Sequence, residues 1–132
     1  MHGIVSLVGA AALAFLAAGC ETDKKVAATK VDPQPVTVVG ENYCLGCALK
    51  KSHGAAAQCS VYGHRHVLKV ESASGADGQA IPALVGDSLH YLDNDKSAPL
   101  LKGGELHGKR VEVKGRLFAP QRTLEVTELK AL

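Results

Sequence analysis

The sequence has no tryptophan, one methionine, three tyrosines and two phenylalanines in 132 residues. So few aromatic rings exclude the stacking platform that single-stranded nucleic acid requires. No excess of one charge is present either. Lys and Arg number 15 against 13 Asp and Glu, a formal net charge of +2. Binders of duplex nucleic acid carry a marked basic excess, so no nucleic-acid partner is expected. No apolar run reaches the roughly 20 residues of a membrane-spanning helix. The length is one domain's worth and excludes a multidomain enzyme. What the chain does have is four cysteines and six histidines.

Residues 1–19 contain no Lys, Arg, Asp or Glu, and Ile4 to Ala18 is apolar apart from Ser6 and Gly9. That pattern is the apolar core of a secretory signal. It ends in Leu16-Ala17-Ala18-Gly19-Cys20, which resembles the lipobox of bacterial lipoproteins. The resemblance implies a signal peptide over 1–19, cleavage before Cys20, and acyl chains such as palmitate on the Cys20 thiol and amine. Glu21 follows the cysteine where that family's inner-membrane retention signal has Asp. The implied location is the periplasmic face of the outer membrane, with the lipid as membrane contact. Residues 20–35 are polar, with Pro33 and Pro35 near their end, and read as a flexible tether.

Residues 36–132 form the expected folded domain. Val36 to Val39 is β-rich and is read as a first strand stopping at Gly40. His66 to Ser72 alternates, with Leu68 and Val70 on one face. Ile81 to Val85 and Ser88 to Leu92 are short strand candidates. Ser97 to Leu106 is read as one helical turn plugging a barrel end. In Lys109 to Leu117 the residues Val111, Val113 and Leu117 share a face with Gly115, where a strand bends sharply. Ala119 to Arg122 turns the chain, and Leu124 and Val126 alternate with Glu125 and Thr127. The basic stripe Lys109, Arg110, Lys114 and Arg116 lies near Glu112, Glu125 and Glu128 and reads as a charge-balanced outer face. Strand number and turn spacing predict an all-β fold, a small barrel or half-open sheet. The last two strands resemble the closing hairpin of small exported bacterial proteins of OB-fold type, which implies an OB-like barrel.

An insert over residues 41–66 breaks the strand pattern. It holds Cys44, Cys47 and Cys59 and three of the six histidines, His53, His64 and His66. Two cysteines separated by two residues can turn both sulfurs to one point, about 2.3 Å from a metal. Three thiolates and one imidazole make a tetrahedral set for zinc, and thiolates also suit Cu(I). The fourth ligand is open on spacing. His53 gives Cys-x2-Cys-x5-His-x5-Cys, while His64 gives Cys-x2-Cys-x11-Cys-x4-His, nearer to zinc-finger spacing. His66 shares parity with Leu68 and Val70. The insert is also similar to a Cys followed by His-x-x-Cys-Ala-x-x-Cys between the first two strands of exported proteins of this barrel type. Laid on that pattern, His53 matches the histidine, Cys59 the last cysteine, and Ala56 replaces the middle one. That resemblance makes His53 the first choice, with His64 and His66 as alternates.

Other chemistries lack their residues. Cys-Leu-Gly-Cys is followed by Ala48, which excludes c-type haem attachment. No phosphate-binding loop and no nucleophile–base pair is apparent, and Asp93 to Asp95 lacks the rest of a calcium loop. His90 and His107 are isolated in sequence. The expectation is a lipid-anchored envelope protein that binds zinc or copper without catalysis. One alternative is an interaction module stapled by a disulfide from Cys59 to Cys44 or Cys47, docking an envelope protein. A thiol–disulfide enzyme using Cys44 and Cys47 is a third reading.

Overall fold

The computed structural model describes residues 32–54, 59, 63–102 and 104–132. The signal segment, Cys20 and the tether up to residue 31 lie outside them. The first strand, β1, spans Gln34–Cys44, so Gln34 and Pro35 belong to the sheet, not to the tether. Its side chains alternate across the sheet, and Val36, Val38, Gly40, Asn42 and Cys44 are buried in turn. Gly40 is thus no stop. The pairing register slips between Val39 and Gly40, and a Cβ at Gly40 would run into the Lys69 carbonyl. The glycine lets two backbones approach at a bulge, and the strand continues.

A helix, α1 (Leu45–His53), follows directly. Strand β2 covers His66–Gly75 and β3 covers Ser88–Tyr91. Between them, the expected strand over Ile81 to Val85 is instead a 3-10 turn, Pro82–Leu84. Pro82 has no N–H to give to a ladder and its fixed φ suits the first position of a helical turn. A short helix α2 (Ala98–Leu101) precedes β4 (Lys109–Phe118), and a 3-10 turn at Ala119–Gln121 leads into β5 (Thr123–Ala131).

The strands close in the order β1-β2-β3-β5-β4, with β4 pairing back onto β1. All pairings are antiparallel except the short parallel one between β3 and β5. This is the five-stranded Greek-key barrel of the OB type. Closure runs through the short β3, which pairs with β2 at Val67 to Lys69 and with β5 at Thr123 and Leu124. Gly115 bends β4 as the sequence implies. The β4–β5 register slips between Lys114 and Gly115, and a Cβ there would strike the Glu125 carbonyl.

Inside the barrel, Val38, Leu68, Leu89, Leu100, Val111, Val113 and Leu124 are fully buried. Each such side chain contributes about 1.5–3 kcal/mol of apolar transfer. Leu100 comes from α2, which plugs one end as the sequence implies. Asn94 starts that turn, its Oδ1 accepting the N–H groups of Lys96 and Ser97 at 2.9 and 2.8 Å. Asn42 holds the plug to β1. Its Nδ2 donates to the carbonyls of Leu100 and Leu106 at 3.2 and 3.1 Å, and its Oδ1 accepts from the Tyr91 hydroxyl at 3.1 Å. Burial raises the Tyr91 phenol above its ordinary pKa, which keeps it a neutral donor. Every polar atom of the buried Asn42 side chain is thereby satisfied, as burial demands.

The outer face is charge-paired. Arg110 meets Glu71, Lys114 meets Glu128 and Arg116 meets Glu125, at 2.6, 2.9 and 2.6 Å. All three pairs lie at the surface, so each contributes only about 0–1 kcal/mol.

Candidate metal centre

Cys44 is the last residue of β1 and Cys47 lies in the first turn of α1. The abrupt change from strand to helix folds the two sulfurs toward one side. Helix formation is local, since Leu45-Gly46-Cys47-Ala48-Leu49-Lys50-Lys51 is rich in good helix formers. Lys50, Lys51 and His53 occupy the last turn, where cations suit the helix dipole. The two ends of the insert are tied together. The Leu45 N–H donates to the Arg65 carbonyl at 2.8 Å, and Cys44 lies opposite His66 in the β1–β2 pairing. His64 and Cys59 therefore return to the mouth of the barrel beside Cys44.

The Sγ of Cys59 lies 3.1 Å from those of both Cys44 and Cys47, and His64 Nδ1 lies 3.5 Å from Cys44 Sγ. All four ligand atoms fall within 4.8 Å of one another. Among the described residues no disulfide forms, and the three cysteines are free thiols. Zinc–sulfur bonds of about 2.3 Å place two sulfurs of a tetrahedron about 3.8 Å apart. A disulfide needs about 2.05 Å. The thiols are thus gathered about one point without being bonded.

Gly46 makes the gathering possible. It is buried, and a Cβ on it would sit 2.9 Å from Cys59 Sγ and 3.2 Å from the Cys59 backbone nitrogen. Gly46→Ala is expected to push Cys59 outward, lowering metal affinity at least about tenfold, a typical loss when ligand placement is disturbed. A competition titration of both proteins against a chromophoric chelator measures the ratio, and equal affinities would contradict this packing.

Electrostatics fit a thiolate cluster. Cys44 is only 1% exposed, and that burial opposes ionisation. The backbone N–H of Cys47, the Cys59 thiol, the His64 ring and the Cys47 thiol all favour the thiolate and outweigh burial. Together they bring Cys44 down to about 6. Cys59 is pushed up to about 12 by its hydrogen bonds to Cys47 and Cys44, with desolvation and the charges of the same two sulfurs adding to it. Cys59 therefore holds its proton more tightly than Cys44. A cation replacing that proton would remove the sulfur–sulfur repulsion that makes full ionisation costly.

The structure assembles Cys44, Cys47 and Cys59 as the spacing implies, but it supplies His64 as the imidazole where His53 was the first choice. His53 ends α1 and is exposed. From Cys47 the helix advances about 9 Å and turns about 240° before it reaches His53. The ring is carried away from the sulfurs on another face. A Cys-x5-His spacing converges only in a loop, and this stretch is helical. His66 is also outside the cluster. Its Nδ1 lies 2.6 Å from the Leu100 carbonyl oxygen, and its ring stacks on His107 at 5.2 Å between centroids. His107, isolated in the sequence, is brought to the site's flank by the chain leaving the α2 plug. No sequence signal marks it.

Comparison with known protein families, with curated proteins and with solved structures finds no match to this chain.

Proposed function

We propose that this chain is a lipid-anchored protein of the bacterial cell envelope that binds one zinc ion, or Cu(I), through Cys44, Cys47, Cys59 and His64 and performs no catalysis. The observation that carries the reading is the convergence of those four ligand atoms within 4.8 Å. Three sulfurs and one imidazole nitrogen are a donor set that soft and borderline cations prefer to magnesium or calcium. Four protein ligands would fill a tetrahedral shell and leave no position for a substrate, which suits a binding role better than a Lewis-acid one. The anchor rests on the sequence, where Leu16-Ala17-Ala18-Gly19-Cys20 follows an apolar run and a polar tether leads to the barrel. Acylation at Cys20 would hold the domain against the periplasmic face of the outer membrane.

The disulfide-stapled interaction module is the second reading. The short contacts of Cys59 to two sulfurs favour it as far as proximity goes. It would leave one thiol and His64 without a role.

Native mass spectrometry of the full-length gene product, recovered from membranes in mild detergent without chelator, tests both parts. One zinc or copper per chain with three thiols retained supports the centre. A mass two protons lower with no metal would overturn it in favour of the disulfide. A mass matching cleavage before Cys20 plus acyl chains supports the anchor, and an unprocessed chain would overturn that. Metal removal is also expected to destabilise the fold. Ligand at a thousandfold excess over Kd contributes about 4 kcal/mol, so a chelator should lower Tm by more than roughly 10 °C.

A further inference from the structure

The three thiols differ in what can reach them. Cys44, at the end of β1, is buried, and its backbone is fixed by pairing with His66. Cys47 is exposed and stands on α1, outside the barrel. A depression of about 650 Å³, walled by Tyr43, Ala48 and Ser88, opens beside it. Cys59 is half-buried and lies 3.1 Å from each of the other two sulfurs. Distance therefore does not choose its partner, and access does.

Cys47 and Cys59 can close on each other with little motion. Their sulfurs stand 3.1 Å apart. A disulfide needs about 2.05 Å, so the pair has only about 1 Å to travel. Gly46 removes the obstacle, because the place its Cβ would take lies 3.2 Å from Cys59 Cα. The Cys59 main chain thus rests on the first turn of α1, against the residue that precedes Cys47. Neither cysteine stands in a strand, so a bond between them leaves the pairing of β1 with β2 and β4 alone. Cys44 in the same role would be drawn from a ladder that holds it on both sides of its peptide.

We propose that Cys47 is a hydroperoxide-reactive residue, and that its oxidation, resolved by Cys59, releases the zinc held at the cluster. The choice of Cys47 and Cys59 stands on exposure and geometry; the release rests on the function proposed above. The Cys47 thiolate takes the terminal OH of the hydroperoxide. The O–O bond breaks, and the alkoxide or hydroxide leaves and collects a proton from water. Cys47 is then a sulfenic acid, oxidised by two electrons while the peroxide is reduced by two. The Cys59 sulfur attacks it. An S–S bond forms, the S–O bond breaks, and the departing hydroxide takes a second proton. In sum, two thiolates, one hydroperoxide and two protons give a disulfide, an alcohol and water, or two waters from hydrogen peroxide. Cys44 and His64 remain as two ligands in place of four, too few to retain zinc against competition. An exposed thiol next to a resolving one is the arrangement that oxidation selects.

The test uses the full-length chain in mild detergent, reduced with a phosphine that is then removed, and given one equivalent of zinc. Hydrogen peroxide is added beside a chromophoric zinc indicator, and the thiols are mapped by differential alkylation and mass spectrometry. One zinc released per disulfide is expected, with the bond between Cys47 and Cys59 and with Cys44 still alkylatable after denaturation. A second phosphine treatment is expected to restore uptake of one zinc. Any other pairing, sulfinate at Cys47 without a bond, or zinc retained by a chain with intact thiols would overturn the proposal. Two variants, compared with the zinc-free parent, check that access selects the thiol. Cys44→Ser is expected to form the same bond at the parental rate, and Cys47→Ser to react at least about tenfold more slowly. Equal rates in the two variants would overturn the assignment to Cys47. The two readings fail separately. A reduced chain that takes up no zinc would dismiss the centre in favour of a permanent staple, while the pairing that peroxide produces in it would still decide between Cys47 and Cys44.

Discussion

Cys59→Ser is expected to abolish stoichiometric zinc binding, and His53→Ala to leave it untouched. Cys59 is the hub of the cluster, 3.1 Å from each of the other two sulfurs. A serine hydroxyl in its place is a hard, weakly acidic donor that zinc does not deprotonate readily, so the shell falls from four protein ligands to three. Loss of an outer hydrogen-bond partner alone costs 10–100-fold in affinity. Loss of a ligand should exceed that, roughly a thousandfold or more on the same scale. His64→Ala should follow Cys59→Ser in direction. His53→Ala is the control, because α1 carries that ring away from the sulfurs. Metal content by atomic emission, together with thiol counting, reads all three variants. Full zinc in Cys59→Ser would sink the centre, and lost zinc in His53→Ala would return the imidazole to α1.

Much of the barrel is legible from alternation. Val111, Val113, Gly115 and Leu117 announce the inner face of β4, and the charged residues between them announce the outer one, because a strand repeats every two residues. The three clustered cysteines are legible for a similar reason, since sulfur ligands carry their own spacing. Two misreadings have different causes. Ile81 to Val85 turns on Pro82, a local signal that suits a helical turn better than a ladder position. Gly40 depends on how neighbouring strands pair, and pairing is non-local. A glycine in a strand can be a stop or a bulge, and only the Lys69 backbone on β2 decides that it is a bulge here.

The choice between His53 and His64 turned on local conformation. An extended insert would have let His53 swing back, but the helix formers after Cys44 rule that out. Asn42 was readable in principle. It shares parity with Val36 and Val38, so a polar side chain faces the core and must find partners. Its partners lie 49 to 64 residues away, at Tyr91, Leu100 and Leu106, and no local pattern names them. His107 is silent for the same reason, being placed by the plug and not by its own neighbours.

Gly115→Ala is expected to be the most damaging single methyl in the barrel. A Cβ at that point would collide with the Glu125 backbone carbonyl, and Val126 Cα lies 3.4 Å away. The obstacle is main chain, so no side-chain rotation relieves it. Nor is β4 free to withdraw, because its other edge pairs with β1 from Gln34↔Leu117 to Asn42↔Lys109. Inserting a methylene into a packed core costs about 1–3 kcal/mol where side chains can adjust. Here the β4–β5 ladder itself must open, so about 3 kcal/mol or more is expected, a large share of the roughly 5–15 kcal/mol that holds a domain together. Thermal unfolding should register it as a fall in Tm beyond about 12 °C. Gly104→Ala is the matched control, since nothing lies within 4 Å of a Cβ added there. It should fall within about 0.5 kcal/mol of the parent, as surface changes do. Equal stability of the two variants would mean that the bulge at Lys114/Gly115 gives way cheaply, and that β4 does not tie β1 and β5 together as the closed barrel requires.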